Sequence, residues 1–311
     1  MKFAIYGGHY NGFWGTTDTF TRYISHIGFG LKHLGHEIIW YTETGYDKDD
    51  TFDVRQFNSF SPKDVDVVLT NSEGAESIAT TSPVFIVSLS VDKPEKYPCI
   101  SGFFQDEGTG YTVPIYIPPK EVDIPFTQRK HRIFVSTPTE ELPINWKTFH
   151  RPIYELREGE FENLVTYNRN NRMFGFDLPT DMKADASQYA EHVLKWKNNH
   201  VHHWLDWREY LFLLCNSGIY CRYSFLDHKS GIVEALAYGN IVVLTHVHST
   251  LLYDQDNVIL LTDPTEGKVK EALRRILTDP YYNDLSEMCA LKYQERHSLE
   301  EVTKALEVIK W

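Results

Sequence analysis

The chain has few cysteines and no pattern among them. Cys99, Cys215, Cys221 and Cys289 show no CxxC spacing, which argues against a zinc site and for reduced thiols in a cytoplasmic protein. No unbroken apolar run reaches about 18 residues, so no segment reads as transmembrane. Positive charge is in deficit. Against 43 Asp and Glu stand 31 Lys and Arg, a formal net charge of −12, which disfavours a nucleic-acid surface. There is no internal repeat, no low-complexity tract and no GxGxxG dinucleotide fingerprint. The 14 histidines include "HVHHW" (His200–Trp204) and "HVH" (His246–His248). These lack the helical i, i+4 pairing or flanking cysteines of a zinc site, so no metal ligand is assigned.

What the chain does have is 42% apolar residues, enough for sizeable cores, arranged as strands alternating with helices. Lys2–Tyr6 reads as a first strand rather than a signal peptide. A glycine-rich loop follows it, "GGHYNGFWGTT". Phe20, Tyr23, Ile24, Ile27, Leu31 and Leu34 then recur at helical spacing, and Gly35 stops the helix. "HEIIWYT", "VDVVLTN" and "PVFIVSLS" are short apolar runs of the kind buried on both faces of a parallel sheet. Val113–Arg132, rich in proline and charge, breaks the pattern and reads as a linker. "IFVST" and "NLVTYN" begin a second set of strands. A helix is expected over Asp185–Lys197, then another over Glu209–Asn216. "GIYCRYS", "NIVVLTH" and "NVILLTD" are strands, with helices over Gly231–Tyr238 and in "KVKEALRRIL". The last segment, "SLEEVTKALEVIK", starts with Ser298 and Glu301 in capping-box spacing. This alternation predicts an α/β protein of two Rossmann-like, doubly wound domains. The expected division is 1–125, 126–295, and a final helix at 296–311 packing back on the first domain.

The most informative stretch is "FLDHKSGIVEALAYGNIVVLTH", Phe225–His246. It follows a strand and opens a helix, where ligands of open α/β sheets bind. N–H groups at a helix start favour phosphate. Ser230 and Gly231 are small enough to let a diphosphate approach the backbone, and Lys229 adds a cation. Glu234, one turn further on, can accept from two adjacent ribose hydroxyls. Asp227, before the turn, can accept from the hydroxyls of a sugar attached to the diphosphate. Ribose, diphosphate and hexose fit in order, which describes a nucleotide-sugar site. The alternative is a well-packed helix with Glu234 as a solvated first-turn acid.

Asp227-His-Lys-Ser-Gly-Ile-Val-Glu234-Ala-Leu-Ala-Tyr-Gly239 resembles the donor-binding motif of retaining GT-B glycosyltransferases of the family-4-like group. That family usually has glutamate at both acidic positions, one residue further apart than here. The resemblance implies two domains facing a cleft, with the acceptor bound mainly by the first and the nucleotide sugar (a UDP- or GDP-sugar) by the second. It implies a hexosyltransferase-like enzyme without cofactor or required metal. "DKDD" (Asp47–Asp50) resembles the metal-binding motif of the other large transferase fold only superficially.

The resemblance also places Gly7 and Gly8 near the donor phosphates, and His9, Tyr10 and Trp14 near the acceptor, where they either stack on it or simply pack. Arg172 joins Lys229 on the diphosphate, with Arg169 and Arg222 as further cations. A strand-end acid of the first domain faces the sugar. Asp92 takes that role beside Asp227 as the catalytic pair, and Asn71 occupies a comparable strand end. Three other readings stay open. "LKWKNNHVHHWLDWREY" interleaves basic and aromatic residues as a phage-type DNA base glycosyltransferase could, its acceptor a modified DNA base rather than a sugar or glycan. A nucleotide-sugar epimerase or a non-catalytic sugar-binding protein would share the fold. The small size and Tyr- and His-rich composition suit a viral enzyme.

Overall fold

A computed structural model describes residues 1–7, 10, 12–14, 19–43, 50–78, 82–88, 97–102, 110–121, 123–130, 132–136, 174–177, 207–222, 229–244, 258–261 and 266–311. The chain divides into two compact units. Met1–Pro119, Asp206–Arg208 and Glu295–Trp311 form the first, and Lys120–Leu205 with Glu209–Gln294 the second.

The first unit is built on seven strands, β1 (Lys2–Tyr6), β2 (Glu37–Thr42), β3 (Asp53–Gln56), β4 (Val67–Thr70), β5 (Val84–Ser88), β6 (Cys99–Ser101) and β7 (Gly110–Thr112). They lie in the order β3-β2-β1-β4-β5-β6-β7, and every pairing is parallel. Such a sheet is covered on both faces. Accordingly Phe3, Ala4 and Ile5 of β1 and Val67, Val68 and Leu69 of β4 are completely buried. The edge strand β3 is mostly exposed. Helix α1 (Thr19–His33) buries Tyr23, Ile24, Ile27 and Leu31, the stripe expected from its spacing. Its backbone at Gly30 receives Val302 and Leu306, since a Cβ there would come within 3.0 and 2.7 Å of them. A short helix, α2 (Ser72–Ser77), follows β4.

The second unit carries β8 (Arg132–Ser136), β9 (Phe174–Asp177), β10 (Ile219–Arg222), β11 (Ile241–Leu244) and β12 (Val258–Leu260). Their order is β12-β11-β10-β8-β9. β9 runs antiparallel to β8 and the other pairs are parallel. Its helices are α3 (Phe126–Arg129), α4 (Trp207–Asn216), α5 (Lys229–Ala237), α6 (Glu266–Thr278) and α7 (Tyr281–Arg296). The first residues of α4 and the last of α7 group with the first unit. A final helix there, α8 (Leu299–Glu307), starts at Ser298, whose hydroxyl accepts from the Glu301 N–H at 3.3 Å. That is the cap the Ser298/Glu301 spacing predicts.

Both units are Rossmann-like, as the alternation of strands and helices predicts. Three readings need correction. Val113–Arg132 is not all linker, because it holds α3 and the start of β8. α4 starts at Trp207, two residues before the expected Glu209. α5 starts at Lys229, two residues before the expected Gly231. The expected strand at Asn163–Asn168 and helix over Asp185–Lys197 lie outside the described residues. Among those described, no helix is long and apolar enough to cross a membrane.

Candidate functional site

In the first unit the strand order reverses at β1, with β2 and β3 on one side and β4 to β7 on the other. Ligands of open α/β sheets bind beyond the carboxyl ends of strands at such a switch point. Tyr6 of β1 is level with Thr70 of β4, so Gly7 and Asn71 leave the sheet side by side. The Thr70 hydroxyl donates to the Tyr6 carbonyl at 2.6 Å and locks the two ends together. Gly7 is held by its N–H donating to the Tyr41 carbonyl (3.1 Å) and its carbonyl accepting from Trp40 Nε1 (3.0 Å). Its φ of +123° is one that side-chain-bearing residues avoid. The Asn71 carboxamide caps α2, accepting from the Gly74 N–H at 2.7 Å.

Two aromatic residues of the glycine loop are described. Tyr10 is completely buried, stacked on Trp40 at 4.4 Å and tilted against Phe52 at 5.5 Å. Of the two roles open to it, packing is the one it has here. Trp14, half-buried, stacks on Trp207 at 5.2 Å, and its carbonyl accepts from the Trp207 N–H at 3.0 Å. Trp207 is 1% exposed, which removes it from the set of aromatics that could stack on a nucleic-acid base. His26 packs in the same cluster, 4.6 Å from Trp207 and 5.6 Å from Phe13. Burial, and secondarily the charge of Arg22, hold its imidazole neutral far below its usual range.

In the second unit the carboxyl ends of β8, β10 and β11 are flush, with Ser136, Arg222 and Leu244 in register. Helix α5 connects β10 to β11. From Ser230 to Asn240 it is buried all round, as expected of a crossover helix with apolar residues on every side. Lys229, Ser230 and Gly231 form its first turn rather than the preceding loop. The Tyr210 hydroxyl donates to the Gly231 carbonyl at 3.4 Å. Glu234 is 0% exposed and Ser230 is 3% exposed, and at i, i+4 they share a helix face. Glu234 is therefore not a solvated first-turn acid. Burying a carboxylate costs several kcal/mol unless it is paired or hydrogen-bonded.

Sequence reasoning missed the residue that fixes the other end of this helix. Arg129 of α3, assigned to the linker, is 2% exposed and donates to the Tyr238 and Gly239 carbonyls at 2.9 and 3.1 Å. Burial brings its pKa down to about 10, against the smaller opposing influence of Cys215 and Asp123, so it is charged at neutral pH. No local pattern in "DIPFTQRK" signals this. Cys221 of β10 is buried, and burial pushes its thiol up, which makes it a core residue and no nucleophile. Gly8, His9, Asp92, Arg172 and Asp227 lie outside the described residues, as do the histidine clusters at 200–204 and 246–248. Among the described residues no group of His, Cys, Asp or Glu is gathered to hold a metal ion.

No protein-family model matches the chain, and no curated protein matches it. Solved structures do. A glycosyltransferase from Rickettsia africae ESF-5 is similar with a TM-score of 0.57 and 12% identity, over 99% of this chain and 97% of that one. HepE of Anabaena, crystallised in complex with UDP, gives 0.58 and 10%, over 99% and 98%. WaaG, a glycosyltransferase involved in lipopolysaccharide biosynthesis, gives 0.53 and 12%, over 98% of both chains. At these identities the likeness concerns the fold, and it spans nearly the whole of each chain. Two Rossmann-like units in one chain, matched end to end by these proteins, make this a GT-B-type two-domain fold.

Proposed function

We propose that the chain is a glycosyltransferase that moves a sugar from a nucleotide-sugar donor to an acceptor hydroxyl, with retention and without a required metal. The observation that carries this reading is Glu234, completely buried among the apolar residues Ile232, Val233, Ala235, Leu236 and Ala237 of the helix that connects the parallel strands β10 and β11. In the proposed site the first turn of α5, with Lys229, Ser230 and Gly231, receives the diphosphate. Glu234 accepts from the ribose hydroxyls. It is fully covered in this structure, so a ribose that reaches it displaces its present neighbours. Asp227 and Asp92 act at the transferred sugar, and Gly7, Gly8 and Arg172 at the leaving diphosphate, where charge builds in the transition state. His9, Tyr10 and Trp14 belong to the acceptor side, Tyr10 by supporting the loop from within.

HepE of Anabaena was crystallised with UDP, which makes a UDP-sugar the first donor to test and a GDP-sugar the second. The four buried cysteines are in the thiol form, which fits a reducing compartment such as the cytoplasm.

The test is a thermal-shift series with UDP-, GDP-, ADP-, dTDP- and CMP-sugars on the wild type and on Glu234→Gln. A donor at 100 times its Kd stabilises the native state by about 2.7 kcal/mol, or about 5 °C for a domain of this size. Glu234→Gln keeps the shape but loses the charge. It should bind that donor about 10- to 100-fold more weakly, the range for a hydrogen bond to a charged group. Wild-type affinity in a normally folded Glu234→Gln protein would refute the site. Donor consumed without any acceptor would mark an epimerase, and donor bound without turnover a binding protein.

A further inference from the structure

We infer that Arg129 is a positioning residue for the nucleotide-sugar site, acting through helix α5. This rests on the function proposed above. The guanidinium is aimed at five acceptors. Nε donates to the Ile124 carbonyl at 3.0 Å, and Nη1 to the Ser217 carbonyl. Nη2 reaches the carbonyls of Tyr238 (2.9 Å) and Gly239 (3.1 Å) and the Ser286 hydroxyl (3.5 Å). All five are neutral. Tyr238 and Gly239 follow directly on the last turn of α5, at the end where the helix dipole concentrates partial negative charge. The buried cation is balanced there by peptide dipoles. Ser217 belongs to the turn that launches β10, and Ser286 to α7, whose hydroxyl also donates to the Gly239 carbonyl at 2.5 Å. One side chain therefore fixes the end of α5 to the strand before it and to the helix behind it.

The consequence reaches the other end of α5. A helix of this length spans about 13 Å and moves as a rod. Whatever sets the position of Gly239 sets that of Ser230, Gly231 and Glu234. Displacements near 1 Å in such a site are costly. Lysine keeps the charge but offers a single point donor in place of the planar fork, so Arg129→Lys loosens the joint without removing its charge.

The experiment measures UDP and GDP affinity by calorimetry at 15 °C on the full chain, with each protein first shown to be folded at that temperature by its thermal melt. Three proteins are compared: wild type, Arg129→Lys, and Leu273→Ala, a buried α6 residue of the same unit that serves as a destabilised control. Arg129→Lys should bind about tenfold more weakly while Leu273→Ala stays within about twofold, because only the first moves α5. Arg129→Lys within twofold of wild type overturns the inference, and so does an equal loss in Leu273→Ala. If Arg129→Lys does not fold, Ser286→Ala loosens the same carbonyl. It should weaken binding at least threefold while unfolding cooperatively, and unchanged affinity overturns the inference. A wild type that binds no nucleoside diphosphate removes the glycosyltransferase reading itself, an outcome distinct from these.

Discussion

Helices α1 and α5 stop at glycines in the left-handed region, Gly35 with φ +83° and Gly239 with φ +72°. The capping bonds are the same pair. The Gly35 N–H donates to the Lys32 carbonyl (3.0 Å) and the His36 N–H to that of Leu31 (3.1 Å). At α5 the Gly239 N–H donates to Leu236 (2.9 Å) and the Asn240 N–H to Ala235 (2.9 Å). Both satisfy carbonyls that a helix end otherwise leaves without partners. The surroundings differ. A Cβ on Gly35 would meet nothing within 4 Å, whereas one on Gly239 would lie 2.8 Å from Arg129 Nη2 and 2.9 Å from the Ser286 carbonyl. One stop faces solvent and the other is a joint in the interior. The local code for ending a helix is therefore the same whether or not anything is fastened to the end.

The largest effect is expected of Gly239→Ala. A side chain at that φ costs about 1–2 kcal/mol, and overpacking against Arg129 and Ser286 adds about 1–3 kcal/mol. A loss of about 4 kcal/mol is expected, read from the urea midpoint at unchanged m-value. A loss under about 1 kcal/mol would show that the joint yields freely and that the buried end of α5 behaves like a surface stop.

A smaller effect separates the basic side chains buried in the two units. His297, at the return of the chain to the first unit, is 8% exposed. Its Nδ1–H donates to the Ile115 carbonyl at 2.9 Å, and its own carbonyl accepts from the Ile117 N–H at 2.9 Å. Burial lowers its pKa to about 4, against the Ile115 bond, which raises it, and with the charge of Arg296, which lowers it further. In the unfolded chain the value is near 6.5. Between those values the unfolded state binds a proton that the folded state refuses, so stability is full above about 6.5 and falls as the pH drops toward 4. Arg129 stays charged throughout this window. Between pH 7.5 and pH 5, wild type should lose about 2 kcal/mol more than His297→Gln. Parallel losses in the two proteins would mean that His297 titrates normally in the fold.

Much of this architecture is legible in the sequence, because buried parallel strands are apolar runs and α1 and α8 carry single stripes. β3 was not, since an edge strand reading Asp-Val-Arg-Gln is mostly exposed and carries no apolar pattern. β6 and β7 are three residues each, too short for periodicity. Helix α7 buries Tyr282, Leu285, Cys289 and Tyr293 but exposes Met288 and Leu291 on its other side, so no one face stands out. At the candidate site, Ser230 and Glu234 stand out in the sequence because small residues and then an acid follow a strand and open a helix. That they share a helix face is seen only in the structure, where α5 starts at Lys229. Arg129 does not stand out. Its partners lie as far as 157 residues along the chain, and only the tertiary fold brings them together.

The smallest effect expected is that of Gly35→Ala, and it calibrates the others. The position is exposed with open space around it, so alanine meets no neighbour. What remains is the strain of a Cβ at positive φ, about 1 kcal/mol. Gly35→Asn should recover part of it, because asparagine tolerates this region better. The same urea measurement serves both helices. If Gly35→Ala costs about 1 kcal/mol and Gly239→Ala about 4, the difference of about 3 kcal/mol is what close packing adds to an otherwise identical stop. Equal losses would place the whole effect in the backbone conformation. Arg129 and Ser286 would then be neighbours of the α5 terminus that give way to a new methyl group, and the case for a rigid joint would rest on the affinity of Arg129→Lys alone.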